Sequence, residues 1–354
     1  MNSDHTSEQA GHGEAATAPA ETLRLLAGPA AWPGEPGPIE MVETHMSWVF
    51  LGRRSVLKIK KPLKTPFLDF STVERREANC REEVRLNRRL AGEVYRDVVP
   101  IVRRASGELA LGGRGTTVDW VVRMKRLPAG AMLDAALRSG RASRTRIEAL
   151  GDRLVAFYRG AERPEIDRDL PWRVMAREMD ENRRILGDPR LDADVPARIK
   201  VLADLDALLA RSRGVLAERV DRGEIVDGHG DLRPEHVWLF NPPLVIDCLE
   251  FNPSLRLVDP FDETTFLGLE CARLGAPWVD GVLRARMTAG LGRVPSPELL
   301  RLYRAFRATL RARLALAHLL EPSPRTPQKW EPAARAYLAL AEAALRGDYP
   351  PAGR

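Results

Sequence analysis

The sequence contains few cysteines. Cys80, Cys248 and Cys271 are the only three among 354 residues, and no two of them have the CxxC spacing. An odd and widely spaced set argues against both a disulfide framework and a structural zinc site. We therefore expect a protein of a reducing compartment, the cytoplasm.

Long apolar runs are missing as well. No segment approaches the roughly 18 to 20 apolar residues that a membrane span needs, and residues 1–20 lack the basic and apolar segments of an export signal. Aromatic residues make up only 6% of the chain, and they are not interleaved with basic residues in a nucleic-acid-binding stripe. Neither a membrane nor a nucleic acid is expected as a partner.

The composition is that of a globular protein, with 44% hydrophobic and 29% charged residues. Since single cores seldom grow beyond about 250 to 300 residues, a chain of 354 residues is expected to form two lobes. The 55 basic and 49 acidic residues leave a net charge of +6, which suits a polyanionic ligand such as a nucleotide. We predict a disordered tail at 1–20, a nucleotide-binding lobe at 21–127, a helical lobe at 128–346 and a second tail at 347–354.

The hydrophobic periodicity predicts an α+β fold, with a small five-stranded antiparallel sheet and one helix in the first lobe. The expected strands are 48–51, 55–60, 98–103, 108–111 and 117–124. A capping-box pattern at Ser71 and Glu74 predicts a helix that continues to about Leu90. The second lobe is mainly helical, with helices near 132–138, 143–160, 172–186, 195–221, 259–274, 297–319 and 331–346, and short strands at 237–240 and 244–247.

Two carboxylates on neighbouring polar turns carry most of the chemical information. Asp231 lies within the segment VDGHGDLRPEHVWLF, residues 226–240, and Asp247 follows sixteen positions later, after an apolar run. Phosphoryl transfer needs one aspartate beside the attacking hydroxyl and another that holds the divalent ion on the nucleotide phosphates. The pattern predicts an ATP-dependent kinase of small molecules, with Glu250 as a further candidate metal or supporting residue.

A lysine and a glutamate in the first lobe fit the same chemistry. Lys58 lies on the second predicted strand, on the opposite face from Leu57 and Ile59. Glu83 is on the apolar face of the predicted helix, whereas Glu82 shares its face with arginines. Since either charge would be costly in a desolvated cleft without a partner, we expect Lys58 and Glu83 to pair. Solvated surface positions are the alternative for both residues.

Taken together, these segments resemble the aminoglycoside phosphotransferase superfamily of the protein-kinase-like fold, and within it a bacterial branch whose longer members carry an additional C-terminal P-loop kinase domain. The resemblance covers about residues 40–275, and GxxxxGK[ST] is absent, so that extra domain is not expected here. The segments that carry the resemblance are residues 43–51 (ETHMSWVFL), 58–62 (KIKKP), 67–71 (FLDFS), 85–90 (RLNRRL), the HGDL of 229–232 and the later Asp247.

The resemblance implies roles for individual residues. Lys58 would grip the ATP phosphates with Glu83 as its partner, and Ser47 would belong to the phosphate-covering turn, which contains no glycine. Met124 and Arg126 fall where the superfamily contacts adenine. Asp231 would be catalytic, with His229 at the start of the same loop as a hydrogen-bonding strut, an interpretation that competes with a direct acid or base role.

The chain departs from the superfamily pattern at His236, where the resembling proteins place a metal-binding asparagine. Imidazole is a poor ligand for Mg²⁺, so Asp247 and Glu250 could carry the ion, Mn²⁺ could replace it, or turnover could be lost. Two alternatives to a kinase of a small hydroxyl compound therefore stay open: a catalytically silent nucleotide-binding regulator, and a metal-dependent hydrolase whose ligands include His229 and His236. Asp259 and Asp262 open the next helix, where helix capping is as plausible as a substrate role.

Overall fold

The computed structural model describes residues 20–35, 37–65, 68–191, 195–321, 324 and 326–349. The predicted tail at 1–20 therefore lies outside the described residues except for Ala20, as do Phe67 and positions 350–354 of the second predicted tail. The chain divides into two compact units. The N-terminal unit is Met1–Pro128 with Asp247–Asn252, and the C-terminal unit is Ala129–Ile246 with Pro253–Arg354.

The N-terminal unit is built around an antiparallel sheet. Its described elements are α1 (Ala20–Ala27), β1 (Glu40–Glu43), β2 (Ser47–Leu51), β3 (Ser55–Lys60), β4 (Lys64–Thr65), β5 (Leu68–Asp69), α2 (Val73–Ala91), β6 (Tyr95–Arg103), β7 (Leu109–Leu111) and β8 (Thr116–Lys125). Six strands pair in the order β1-β2-β3-β8-β6-β7, and β4 and β5 form a separate hairpin. The main sheet thus has one strand more than the sequence predicts, and the unit has one helix more, α1.

The additional strand is β1, which pairs with β2 at the edge of the sheet. All four of its residues are exposed, so its sequence has no alternation of apolar and polar residues to reveal a strand. The other five strands were expected, because residues such as Phe50, Leu57 and Ile59 bury one face of the sheet with the side chain of Leu26 from α1.

Helix α2 begins one residue later than the predicted capping box implies. Thr72, not Ser71, is the N-cap, and its side chain accepts a hydrogen bond from the backbone N–H of Arg75. The hydroxyl of Ser71 instead donates to Asp69 Oδ1 at 2.6 Å. The helix buries the face that carries Glu83 and Leu86, whereas Glu82 forms an exposed ion pair with Arg85.

The C-terminal unit is mainly helical. Its described elements are α3 (Leu133–Arg138), α4 (Arg144–Gly160), α5 (Leu170–Leu186), α6 (Val195–Arg211), α7 (Arg213–Asp221), β9 (Val226–Asp227), β10 (Val237–Trp238), β11 (Leu244–Val245), β12 (Leu257–Val258), α8 (Pro260–Arg273), α9 (Trp278–Leu291), α10 (Pro297–Ala317) and α11 (Trp330–Arg346). Strands β10 and β11 form one antiparallel pair, and β9 and β12 form another.

The helices predicted for this unit are wrong in two places. The single helix expected at 195–221 is interrupted at Ser212, which separates α6 from α7. Helix α9 was not predicted, because Asp280 is among its buried residues and blurs the apolar pattern. The α+β class itself is confirmed. In the part of the chain that the structure describes, no helix combines the length and apolarity needed to cross a membrane.

Candidate active site

Lys58 is the centre of a group of charged side chains in the N-terminal unit. It lies on β3, and its Nζ is 2.8 Å from Glu83 Oε1 on α2 and 3.0 Å from Asp247 Oδ1. The ion pair between Lys58 and Glu83 is therefore present, as strand alternation and helical periodicity indicate. Asp247 joins them from a segment almost 190 residues away in the chain.

A second lysine, which sequence reasoning missed, extends this group. Lys60 follows Lys58 by two positions on β3, so both side chains project from the same face. The ammonium of Lys60 contacts Glu83 Oε2 and Glu250 Oε1 and is almost completely buried. The KIK pattern was the available signal, although the sequence did not show that both lysines would find buried carboxylates. Two ammonium groups thus face three carboxylates.

The pKa values of these side chains follow from that pairing. Burial would lower the pKa of Lys58, but Asp247 and Glu83 raise it well above its ordinary value. Burial would likewise raise the pKa of Glu83, and Lys58 and Lys60 reverse this and lower it. Both lysines therefore stay protonated and Glu83 stays ionised at neutral pH, as a site for phosphate oxygens and cations requires.

The segment that carries Asp247 is held against the N-terminal sheet and helix by its backbone. The N–H of Asp247 donates to the hydroxyl of Tyr95 at 3.1 Å, and the N–H of Cys248 donates to Asn87 Oδ1 at 2.9 Å. Asn87 is one helical turn after Glu83 and also donates to its carbonyl oxygen. Asp247 itself has φ +63°, a left-handed conformation that aspartate tolerates better than most residues. These contacts fix where its carboxylate points.

The other predicted nucleotide-binding residues lie elsewhere on the same sheet. Ser47 begins β2 and closes the turn after β1, where Thr44 Oγ1 accepts from the Ser47 N–H at 3.0 Å. This hydroxyl stabilises a turn that has no glycine. Met124 is buried on β8 opposite Val56. The guanidinium of Arg126 donates to Gly52 O at 2.7 Å and so supports the β2–β3 turn.

The loop of Asp231 belongs to the C-terminal unit and is organised by Glu263 of α8. This buried carboxylate accepts hydrogen bonds from the backbone N–H groups of His229 and Gly230 and from the hydroxyl of Tyr158. A Cβ at Gly228 would lie 2.9 Å from Glu263 Oε2, so glycine is needed for this close approach. Burial raises the pKa of Glu263, although its three donors favour the carboxylate. No pattern in the sequence indicated these contacts of Glu263.

His229 is hydrogen-bonded to backbone groups through both ring nitrogens. Its Nε2 lies 2.9 Å from the carbonyl oxygen of Ile246, and its Nδ1 accepts from the N–H of Asp231 at 3.3 Å. A carbonyl oxygen only accepts, so Nε2 carries the proton and the ring is neutral. Backbone groups therefore engage both ring nitrogens, and one of these contacts is to the N–H of Asp231.

His236 is held in a similar way beside Asp231. Its Nδ1 donates to Asp231 O at 2.8 Å, and its Nε2 accepts from Arg233 Nη2 at 3.3 Å. Arg233, another residue that sequence reasoning missed, also places Nε 3.0 Å from Asp231 Oδ2. Neither ring nitrogen of His236 points its lone pair at an open position for an ion. Asp231 retains a partly exposed carboxylate between these two side chains.

Asp259 and Asp262 serve the helices of the C-terminal unit. Asp259 caps α8 by accepting from the Phe261 N–H, and it forms a buried ion pair with Arg219. Asp262 accepts two hydrogen bonds from Arg307 of α10, at 3.0 and 2.6 Å. The capping interpretation of Asp259 is correct, and both carboxylates are engaged by arginine.

The donor set suits a hard cation and phosphate oxygens. Asp247 is the most exposed carboxylate around Lys58, with 47% of its side chain accessible, and carboxylate oxygens are the ligands that Mg²⁺ and Mn²⁺ accept. The lysine beside it supplies a charged donor for phosphate. Asp231, in the other unit, supplies a carboxylate that can orient a hydroxyl and accept its proton.

Comparisons with known proteins establish the fold. A choline kinase from Cryptosporidium parvum matches with a TM-score of 0.57 at 8% identity, covering 93% of this chain and 94% of that one. A choline/ethanolamine kinase family protein from Mesorhizobium loti matches with a TM-score of 0.53 at 18% identity over the same shares. The chain therefore has the protein-kinase-like fold of these small-molecule kinases.

Sequence comparison finds relatives without an assigned activity, and no family model matches the chain. A protein of Mycobacterium tuberculosis, described as uncharacterised, is 30% identical over 291 residues. The match covers 81% of this chain and 56% of that protein. The chain thus spans little more than half the length of the curated relatives it matches.

Proposed function

We propose that this protein is an ATP-dependent phosphotransferase of the aminoglycoside phosphotransferase superfamily, which moves the γ-phosphate of ATP to a hydroxyl of a small molecule. The observation that carries the proposal is the contact of Lys58 with both Glu83 and Asp247 in a chain with the fold of choline kinases. Cys80, Cys248 and Cys271 are buried and form no disulfide in the described part of the chain, which supports a cytoplasmic setting.

In this proposal each residue of the site has a separate role. Lys58, oriented by Glu83, binds phosphate oxygens, and the turn that contains Ser47 covers them. Met124 and Arg126 frame the segment that contacts adenine. Asp247 would hold Mg²⁺ or Mn²⁺, which when bound offsets negative charge on the phosphates.

Asp231 orients the acceptor. As the acceptor oxygen bonds to the γ-phosphorus, the bond from that phosphorus to the bridging oxygen breaks and ADP leaves. The hydroxyl proton passes to the carboxylate of Asp231. Because an aspartate is a weak base, positioning is its main contribution. His229 and His236 hold the loop through their hydrogen bonds to Ile246 and to Asp231.

The test is a search for labelled product. The purified protein is incubated with γ-phosphate-labelled ATP, Mg²⁺ or Mn²⁺, and fractions of a metabolite pool. We expect one fraction to yield a labelled compound, and we expect Asp247→Ala and Lys58→Ala to abolish it. Labelling that is unchanged in both variants would contradict the assignment.

A nucleotide-binding regulator is the second candidate, and the hydrogen bonds of His236 favour it. Both ring nitrogens are engaged, so the side chain at this position offers no ligand for a metal. Thermal shifts with ATP and either metal, but no labelled product, would support this candidate. Turnover gained by His236→Asn would strengthen it further. The same engagement of His229 and His236 gives the hydrolase alternative less support.

A further inference from the structure

We propose that Lys60 is a positioning residue of the nucleotide site, and that Glu250 is its counter-ion and not a ligand of the metal. The assignment rests on the proposed phosphotransferase function, because it leaves Asp247 as the metal-binding carboxylate of the N-terminal unit. It concerns a lysine to which the kinase chemistry described above gives no role.

Lys60 is enclosed on several sides. Its side chain is 1% exposed, and its ammonium contacts Glu83 Oε2 and Glu250 Oε1. The ring of Phe70 lies 5.5 Å from the ammonium and covers another side. A lysine in such a place has no contact with solvent or substrate, so it can act only through the carboxylates that it holds.

Glu83 is the carboxylate through which Lys60 reaches the phosphate-binding residue. One oxygen of Glu83 contacts Lys58 and the other contacts Lys60. A carboxylate held by a single lysine can rotate about its last bond, whereas contacts at both oxygens define its plane. Lys60 thereby fixes the direction from which Glu83 holds Lys58.

Glu250 is poorly placed to bind an ion. Only 6% of its side chain is exposed, compared with 47% for Asp247. Mg²⁺ usually keeps several of its waters when it binds protein, and a carboxylate this buried leaves little room for them. Glu250 and Glu83 raise the pKa of Lys60 above its ordinary value although burial lowers it, so the lysine remains a cation that needs this partner.

The charges in the cluster also assign Glu250 to Lys60 and leave Asp247 for the metal. Lys58 and Lys60 together offset two of the three negative charges, and Asp247 is the most exposed of the three carboxylates. Without Lys60, two buried carboxylates would compete for Lys58 and draw it away from Asp247. The second lysine thus lets Glu250 sit in the cluster while Lys58 stays available for phosphate.

The test compares Lys60→Met, Glu250→Gln and the double variant, with the exposed Lys64→Met as control. Unfolding in urea is measured without nucleotide. We expect Lys60→Met to lower the midpoint by about 1 M, because it removes the lysine that the buried carboxylate of Glu250 contacts. Adding Glu250→Gln should restore more than half of that loss. Losses that simply add in the double variant would overturn the proposal.

The metal assignment is tested by nucleotide binding. The Mg²⁺ concentration that gives half of the ATP-induced thermal shift should change less than about twofold in Glu250→Gln, but by about tenfold or more in Asp247→Asn. In the double variant the affinity for ATP should return with the urea midpoint, since Lys58 is again held by Glu83. A tenfold change in Glu250→Gln would show that Glu250 binds the metal.

The two proposals fail in different ways. Absence of any labelled product from the wild-type protein would count against phosphotransfer alone. The urea midpoints need neither nucleotide nor metal, so they judge the pairing of Lys60 with Glu250 whatever the activity is.

Discussion

Glu83 is a carboxylate whose ionisation is tied to two buried lysines. Lys58 and Lys60 hold its pKa below the ordinary value of 4.5. A group with a lowered pKa adds stability that is fully present above the unfolded value and is lost as the pH falls through the folded value. The ion cluster of the N-terminal unit should therefore weaken on acidification below about pH 4.5.

We predict that Glu83→Gln makes the free energy of unfolding less dependent on pH in this acidic range. The free energy of unfolding, measured by urea titration from pH 3 to pH 7, should differ between wild type and variant more at pH 7 than at pH 3, by about 1.4 kcal/mol for each unit by which the pKa is lowered. Glu77→Gln, which removes an exposed ion pair with Arg81 on the same helix, is the control. Parallel profiles for wild type and Glu83→Gln would contradict the prediction.

A second prediction concerns Asp231. Asp231→Asn should lower kcat by roughly 10²- to 10⁴-fold, the usual contribution of a positioned proton acceptor, and leave the affinity for ATP nearly unchanged. The asparagine keeps the shape that Arg233 and His236 surround but not the charge. Steady-state kinetics and calorimetric ATP titration measure the two quantities, with the exposed Asp221→Asn as control. Turnover equal to that of wild type would remove Asp231 from the reaction.

At this scale the sequence predicted the residues whose partners are close in the chain or implied by periodicity. The pairing of Lys58 with Glu83 follows from one strand and one helix. Lys60 and Glu250, in contrast, are separated by 190 positions, and no periodicity connects them. No periodicity connects Glu263 with the loop of His229 either, because Glu263 lies on α8, 34 positions after His229.

Helix α2 carries Glu83, so its start affects the candidate site. We predict that Thr72→Ala destabilises the protein by about 1 kcal/mol, because the N-cap side chain satisfies the backbone N–H of Arg75. Ser71→Ala is the matched comparison, since Ser71 was the N-cap expected from the sequence but bonds to Asp69 instead. Urea unfolding measures both variants, and a larger loss for Ser71→Ala would assign the cap to Ser71.

Elements with a clear buried face were predictable and the others were not. Strands β2 and β3 alternate or bury their residues, and α4 repeats its apolar positions at helical spacing. All residues of strand β1 are exposed, so its pairing with β2 produces no alternation of apolar and polar residues in the sequence. The break between α6 and α7 falls at Ser212 inside a periodic run, and periodicity alone cannot place it.

On the scale of the whole molecule, the chain returns to its first unit after completing much of the second. The segment Asp247–Asn252 belongs to the N-terminal unit and supplies Asp247 and Glu250 to the lysines of β3. A lobe boundary drawn once near residue 128, as the sequence suggested, does not include this return.

We predict that residues 20–128 alone do not unfold cooperatively. Lys60 would lose Glu250, and the backbone donors that reach Tyr95 and Asn87 from this segment would be missing. Replacing Lys58, Lys60 and Glu83 together by methionine should recover part of the cooperativity, because an apolar set of similar volume can replace buried charges. Circular dichroism during urea titration measures both fragments. A cooperative transition in the unsubstituted fragment would show that the return segment is dispensable.

The return of Asp247–Asn252 also sets an order for synthesis on the ribosome. Domains generally fold as they emerge, the N-terminal one first. Here the N-terminal unit lacks two of its carboxylates until the residues that follow Ile246 have left the exit tunnel. Through the translation of residues 129–246, the nascent chain therefore carries all six described strands of the main sheet, while Lys58 still lacks Asp247 and Lys60 still lacks Glu250.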